Sequence, residues 1–146
     1  MRPPVSAINL NPIGTVRNGI HASGGSAWEE TVAEIIIRPE LIPALDGLEG
    51  FSHIIVVFWT GRSGAPPTPL KIHPRHNPGL PLLGLFSTRS PDRPNPVCIT
   101  IVALLERRDN VLKVRGLDAF DGTAVIDIKP YLPGDLVREA QFPSWV

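Results

Sequence analysis

Residues 87–96, STRSPDRPNP, set two arginines, three prolines and an asparagine in ten positions. Each proline fixes φ and pushes the residue before it toward extended backbone, so SPDRPNP reads as a rigid bend. Arg89 and Arg93 stand four apart on it. A guanidinium offers N–H donors in a fixed fork that suits a carboxylate or a phosphate. Asn95, between two prolines, can both accept and donate from a held position. Donors fixed in advance lower the cost of binding. The stretch reads as a binding loop for a small anionic or polar ligand. The plainer alternative is a structural turn whose arginines face water or pair with Asp92.

A second constellation is GLDAFDGTAVIDIKPY, residues 116–131. Asp118, Asp121 and Asp127 alternate with apolar residues, and Lys129 and Tyr131 follow. FDGT is a turn signal. Carboxylates at strand ends can hold a ligand hydroxyl or pair with the arginines of the first loop. Alternation sends Asp127 away from the core while Ile126 and Ile128 point in, with Lys129 on the side of Asp127. The competing reading is a turn aspartate plus a cross-strand ion pair, worth little if exposed.

The remaining reactive residues argue mostly against other chemistries. His53, His73 and His76 could ligate zinc as a trio. No regular element fixes their spacing, and Pro74 interrupts it, so no metal site is expected. Cys98 is the single cysteine, which excludes a disulfide framework within one chain. Set in VCIT, it reads as an inert core thiol rather than a nucleophile. The sequence has no G-x-S-x-G, no G-x-G-x-x-G and no P-loop, so a nucleotide-like cofactor must be held another way.

These residues need a scaffold. The chain has 146 residues, 42% of them hydrophobic, enough for one domain with a real core. Fourteen basic and fourteen acidic side chains cancel, which argues against a generally basic nucleic-acid binder but leaves room for a local patch. Strands are expected at 31–37, 51–61, 97–106, 111–117 and 124–130, with an extended segment over 5–18. FSHIIVVFW is rich in β-branched and aromatic residues and suits the core or a subunit contact. RRDN supplies a turn. One short helix is expected between Pro39 and Gly47, and a long ordered loop over 62–83. The expected fold is mainly β: a single antiparallel barrel with a short helix and long Pro/Gly-rich loops. The longest apolar run is too short to span a bilayer, and MRPPVSAINL lacks a signal-peptide core, so a cytoplasmic protein is expected.

Taken in order, IGTVRN, LDGLEGFSHIIVVFW, GLFSTRSPDRPNPVCIT and GLDAFDGTAVIDIKPYLPGD resemble the TsaA-like, or TrmO, family of S-adenosylmethionine-dependent methyltransferases. The resemblance covers roughly residues 8–136, leaving 137–146 as a tail. It implies a β-barrel unlike the usual methyltransferase fold, working as a homodimer with S-adenosylmethionine near the subunit contact. It further implies methylation of N6 of N6-threonylcarbamoyladenosine at position 37 of transfer RNA, and no membrane association. Thr88, Arg89, Ser90, Arg93, Pro94 and Asn95 fall on one family motif. Asp118, Asp121, Gly122, Asp127, Lys129, Pro130 and Tyr131 fall on a second, and His53 matches the histidine of GFSH. The resemblance thus offers His53, Arg89, Ser90, Arg93, Asn95, Asp127, Lys129 and Tyr131 for cofactor contact, and Asp121 as a base or orienter.

This chain departs from the family pattern in places. RPNPVCIT stands where many members read RPNPIGLS, so Cys98 replaces a glycine and either narrows a pocket or fills a gap. GIHASGGSAWEETVAE replaces the PRQ-like segment of larger members, and their extra C-terminal domain is not expected here. A methyltransferase of a smaller, non-RNA substrate and a non-catalytic S-adenosylmethionine-binding module are the alternatives.

Overall fold

A computed structural model describes residues 7–22, 27–61 and 69–146. Among the described residues, eight strands run in chain order as β1 (Gly14–Arg17), β2 (Val32–Ile37), β3 (His53–Trp59), β4 (Lys71–Ile72), β5 (Leu83–Gly84), β6 (Val97–Arg108), β7 (Val111–Arg115) and β8 (Ala124–Pro130). Six of them close into a barrel in the order β1-β2-β7-β6-β3-β8, and β4 pairs with β5 in a separate hairpin. Every barrel pairing is antiparallel.

Period-two alternation builds the core. On β3, Ile54, Val56 and Phe58 are buried. Ile35 and Ile37 of β2, Val102 of β6, Leu112 and Val114 of β7, and Val125 of β8 meet them inside. The neighbours Ile55, Val57 and Trp59 are only partly covered and point outward. Gly14 is required where β1 crosses β2: a Cβ there would lie 2.4 Å from the Ile36 carbonyl oxygen.

Most of the expected strands are present, and the differences have local causes. Only Gly14–Arg17 of the early extended segment pairs as a strand; residues 5 and 6 lie outside the described residues. The expected helix forms as two 3-10 turns, Pro39–Leu45 and Leu48–Gly50. Pro43 lacks the N–H that an α-helix would use there, and Gly47, at φ 88°, separates the two turns. The long loop over 62–83 is not irregular throughout, because Lys71↔Gly84 and Ile72↔Leu83 pair across it; residues 62–68 lie outside the description. Alternation also fails at one point on β8. The register shifts between Val57 and Phe58, which pair with Asp127 and Val125, leaving Ile126 as the bulged residue. Ile126 therefore lines an outer hollow with Trp59 and Val97, while Ile128 packs on the core.

Among the described residues no helix is long and apolar enough to cross a membrane.

Ile54 is fully buried on a strand bonded on both sides. Replacing it with Ala is expected to cost about 2–5 kcal/mol of stability, read from the denaturant midpoint, with the far-ultraviolet spectrum of the survivor unchanged.

Candidate functional site

Topology brings the two sequence constellations together. Both β6 and β8 run antiparallel to β3, so Val97 and Ala124, their first residues, each pair with Trp59 at its end. The segments leading into β6 and β8 therefore arrive over the same mouth of the barrel.

The arginine-bearing loop is held from inside. Leu85 is buried, and its carbonyl accepts the Thr88 N–H at 3.1 Å and the Thr88 hydroxyl at 2.7 Å. Arg93 bends back on its own loop, its Nη1 donating to the carbonyls of Thr88 at 2.8 Å and Ser90 at 3.2 Å. Its guanidinium also sits 5.7 Å from the centre of the Phe86 ring. The Ser90 hydroxyl accepts the Asp92 N–H at 3.2 Å. The buried Pro96 ends the loop, its carbonyl accepting the Thr60 N–H at 3.0 Å. Arg89 is exposed and reaches over β6 to donate to the Ile99 carbonyl at 3.1 Å. Asp92 takes no ion pair with either arginine.

The opposing segment is laced just as tightly. Asp121 Oδ1 accepts the N–H groups of Asn18 at 2.7 Å and Gly19 at 2.9 Å, and Asn18 Nδ2 donates to the Ala119 carbonyl at 2.8 Å. The two amide donors hold the Asp121 carboxyl below its ordinary value. Gly122, at φ 78°, makes the turn into β8. Phe120 packs on Trp28 with ring centres 5.8 Å apart. Asp118 projects nearby, its Oδ1 accepting the Thr100 hydroxyl.

Between these segments lies a cleft of about 310 Å³ lined by Phe58, Thr60, Arg89, Arg93, Cys98 and Asp118, among others. A second hollow of about 170 Å³ shares Phe58, Thr60, Pro91 and Asp118 with it and adds Trp28 and Phe120. Cys98 feels the convergence: burial pushes its thiol up, the Asp118 charge adds to the rise, and Arg93 and Arg89 oppose it. That suits a packed thiol, not a nucleophile. On the far side of the same loop a larger cavity of about 690 Å³ opens, and Arg89 and Pro91 line both.

The sequence candidates thus divide. Arg89 and Arg93 line the cleft, with Ser90 on the same loop facing the larger cavity. Asn95 lines the outer hollow with Trp59 and Ile126. Asp121 lines neither the cleft nor the adjoining hollow and serves the turn through its two backbone donors. His53 opens β3 five residues from Phe58, about 17 Å along the strand. Tyr131 joins it there, donating its N–H to the His53 carbonyl at 3.1 Å. Asp127 and Lys129 form a 2.7 Å ion pair on the outer wall beside Val57 and Ile55. Four contributors were not singled out in the sequence: Trp28, Phe58, Thr60 and Thr100. Phe58 and Thr60 lay in the expected strand at 51–61 and Thr100 in that at 97–106, but nothing in the strand pattern tied them to a site. Among the described residues, no group of three His, Cys, Asp or Glu side chains gathers to hold a metal.

Comparison with known proteins bears on this geometry. Residues 17–135 match the family model described as the tRNA-methyltransferase O N-terminal domain. The chain belongs to this family. A Methanothermobacter thermautotrophicus relative, named as a probable S-adenosyl-L-methionine-binding protein, is 46% identical over 85% of this chain and 90% of its own length. The Escherichia coli tRNA (adenine(37)-N6)-methyltransferase is 44% identical over 62% of this chain, but over 40% of its own length. The crystal structure of TrmO from Pseudomonas aeruginosa superposes with a TM-score of 0.77 at 26% identity, covering 97% of this chain and 63% of that one. Against these two larger proteins, this chain spans about half the length. The TrmO-type barrel expected from the sequence is the fold observed.

Asp121→Ala removes the acceptor for two backbone donors. Because the folded carboxyl is held low, its contribution is present above the unfolded value and fades as pH falls through the folded one. The variant is expected to melt below the wild type at neutral pH, and the gap to close in a series of thermal melts carried down below about pH 4. A gap that does not change with pH would show that charge has no part in the hold.

Proposed function

We propose that this protein is an S-adenosylmethionine-dependent tRNA methyltransferase that acts as a homodimer on N6 of N6-threonylcarbamoyladenosine at position 37. The observation that carries this reading is the meeting of Arg89, Arg93 and Asp118 around one cleft beside the Trp28–Phe120 pair. The names of the Methanothermobacter and Escherichia relatives support the cofactor and the acceptor class.

The residues fit the cofactor's chemistry. The molecule carries a sulfonium cation, a carboxylate, an ammonium group and a flat base. Asp118 supplies an anion for the positive groups, and the guanidinium of Arg89 suits the carboxylate. Trp28 and Phe120 provide aromatic surface for the base. When bound, the cofactor supplies a methyl group on sulfur that a nitrogen nucleophile displaces in line. Placement is the protein's contribution to such a step. Thr100 holds the Asp118 carboxylate in direction. Arg93, through the Thr88 and Ser90 carbonyls, holds the loop that presents Arg89. Asp121 acts as an orienter, fixing the turn that carries Asp118 and Phe120.

The dimer reading rests on the barrel wall. Across β1, β2, β7 and β6 the outward residues Arg17, Glu34, Lys113 and Glu106 stand opposite one another as a ladder of alternating charge. Across β3 and β6 the outward pairs are Val57↔Ile99 and Ile55↔Ile101, with Ile99 48% and Ile101 53% exposed. Val97 and Ile99 also line the cleft. Two-fold contact through this face would carry the Asp127–Lys129 pair and His53 of a second copy toward the cleft of the first. This accounts for site candidates that a single chain keeps apart.

Titration calorimetry with S-adenosylmethionine checks the cofactor site. Arg89→Ala and Asp118→Asn are each expected to raise Kd about ten- to a hundredfold, as for loss of a hydrogen bond to a charged group. Unchanged affinity in both would move the cofactor elsewhere. Transfer of labelled methyl to tRNA carrying N6-threonylcarbamoyladenosine, but not to tRNA lacking it, is expected from the wild type. The name of the Methanothermobacter relative favours a second reading, a binding module, and saturable binding with no transfer to either tRNA would select it. Ile101→Asp is expected to yield a monomer by sedimentation and to lose transfer; a monomeric wild type would refute the dimer.

A further inference from the structure

From the larger cavity, on the far side of the arginine loop, we infer that the protein grips single-stranded RNA there, beside the nucleotide to be modified. The inference rests on the tRNA methyltransferase reading and extends it. The cavity, about 690 Å³, lies between the turn at Pro74–His76, residues 87–91 and the C-terminal segment. His73, Arg75, His76 and Arg89 line it, and no acidic side chain is among its described lining residues. In a chain whose charges balance overall, Arg75 and Arg89 are the charged side chains of this hollow.

Backbone geometry adds to the case. Arg75 and His76 both have positive φ, 56° and 53°. Left-handed backbone at a residue with a side chain is unfavourable, and two in succession must be held by their surroundings. Here the turn is closed by the His76 N–H to the His73 carbonyl at 3.1 Å and the Asn77 N–H to the Pro74 carbonyl at 3.0 Å. His73 Nδ1 meets the Leu80 carbonyl at 2.7 Å, which fixes the ring at the cavity wall. Phe142, 70% exposed, and Trp145, part-buried, line the same cavity.

Arginines and solvent-reachable aromatic rings in one cavity are what an unpaired nucleic-acid strand requires. Phosphates take the arginines, and bases stack on the rings whatever their sequence. A duplex would offer no free base face to Phe142 or Trp145. The cavity also shares Arg89 and Pro91 with the cofactor cleft. A strand laid in it would thus place its next nucleotide at the rim of that cleft.

Fluorescence anisotropy of tRNA and of a labelled single-stranded RNA, across a salt series, tests this on the full chain. Arg75→Ala is expected to weaken RNA binding several-fold and to reduce the slope of log K against log salt by about one. Trp145→Ala is expected to weaken it about tenfold with the slope unchanged, and Trp145→Phe to restore most of the loss. The Kd for S-adenosylmethionine, measured on the same samples, should not move in any variant. Wild-type binding of RNA that both alanine variants retain, in affinity and slope, overturns this inference and leaves the tRNA reading standing. Binding of S-adenosylmethionine without any RNA binding by the wild type overturns both.

Discussion

Strand β3 is hydrogen-bonded along both edges to strands that run against it, and the site depends on that single arrangement. Antiparallel pairing fixes which end of each neighbour lies beside which end of β3. The residues that precede β6 and those that precede β8, though more than twenty apart in sequence, have no choice but to meet over Trp59. Parallel pairing of either neighbour would send its loop to the other mouth of the barrel. By the same logic the far ends of β3 and β8 bring His53 and Tyr131 together at the opposite mouth.

Within this frame the two arginines of one motif do different work. Arg93 is turned inward on its own loop, where it satisfies two carbonyls that the prolines leave without regular ladder partners. Arg89 spends one donor on the Ile99 carbonyl and keeps the remainder of its fork at the surface between two cavities. Spacing alone treats the two as equivalent. Proline rigidity makes the loop, Arg93 locks it, and Arg89 is what the locked loop presents. Exposed ion pairs elsewhere, such as Arg108–Glu106 at 2.9 Å, add little by comparison.

What the sequence made legible follows from periodicity and turn chemistry, which are local. Alternating apolar residues marked β2, β3 and β6 closely, and DGT marked the turn into β8. The meeting of Asp118 with Arg89 was suggested only as one option, because it is a property of strand order, which no window of sequence contains. Trp28 lines the adjoining hollow from a segment with no chemical signature, and Thr100, though inside an expected strand, gave no sign that it would hold Asp118. The bulge at Ile126 defeated simple alternation: an extra residue turned an isoleucine expected inside toward the outer wall. Pro43 shortened a turn whose composition read as helical. The pairing of Lys71 with Gly84 spans a stretch too rich in proline and glycine for strand patterning to emerge.

A closed barrel has no free strand edges, so two copies cannot associate by extending the barrel sheet. Association through the barrel must use side chains on the outer wall, and the wall is not uniform. The half formed by β1, β2 and β7 alternates in charge, with Arg17 paired to Glu34. The half formed by β3 and β6 exposes Ile99 and Ile101 beside Ile55 and Val57, where contact removes apolar surface from water. Those residues alternate along the same strands with Ile54, Val56 and Val102 of the core, so the face cannot shift without moving the barrel interior. Val97 and Ile99 belong both to this face and to the cleft. A partner seated on the face would therefore be held in fixed register with Arg89 and Asp118. The proposed dimer and the proposed cofactor site are then consequences of one strand register, and changing one without the other would require rebuilding β6.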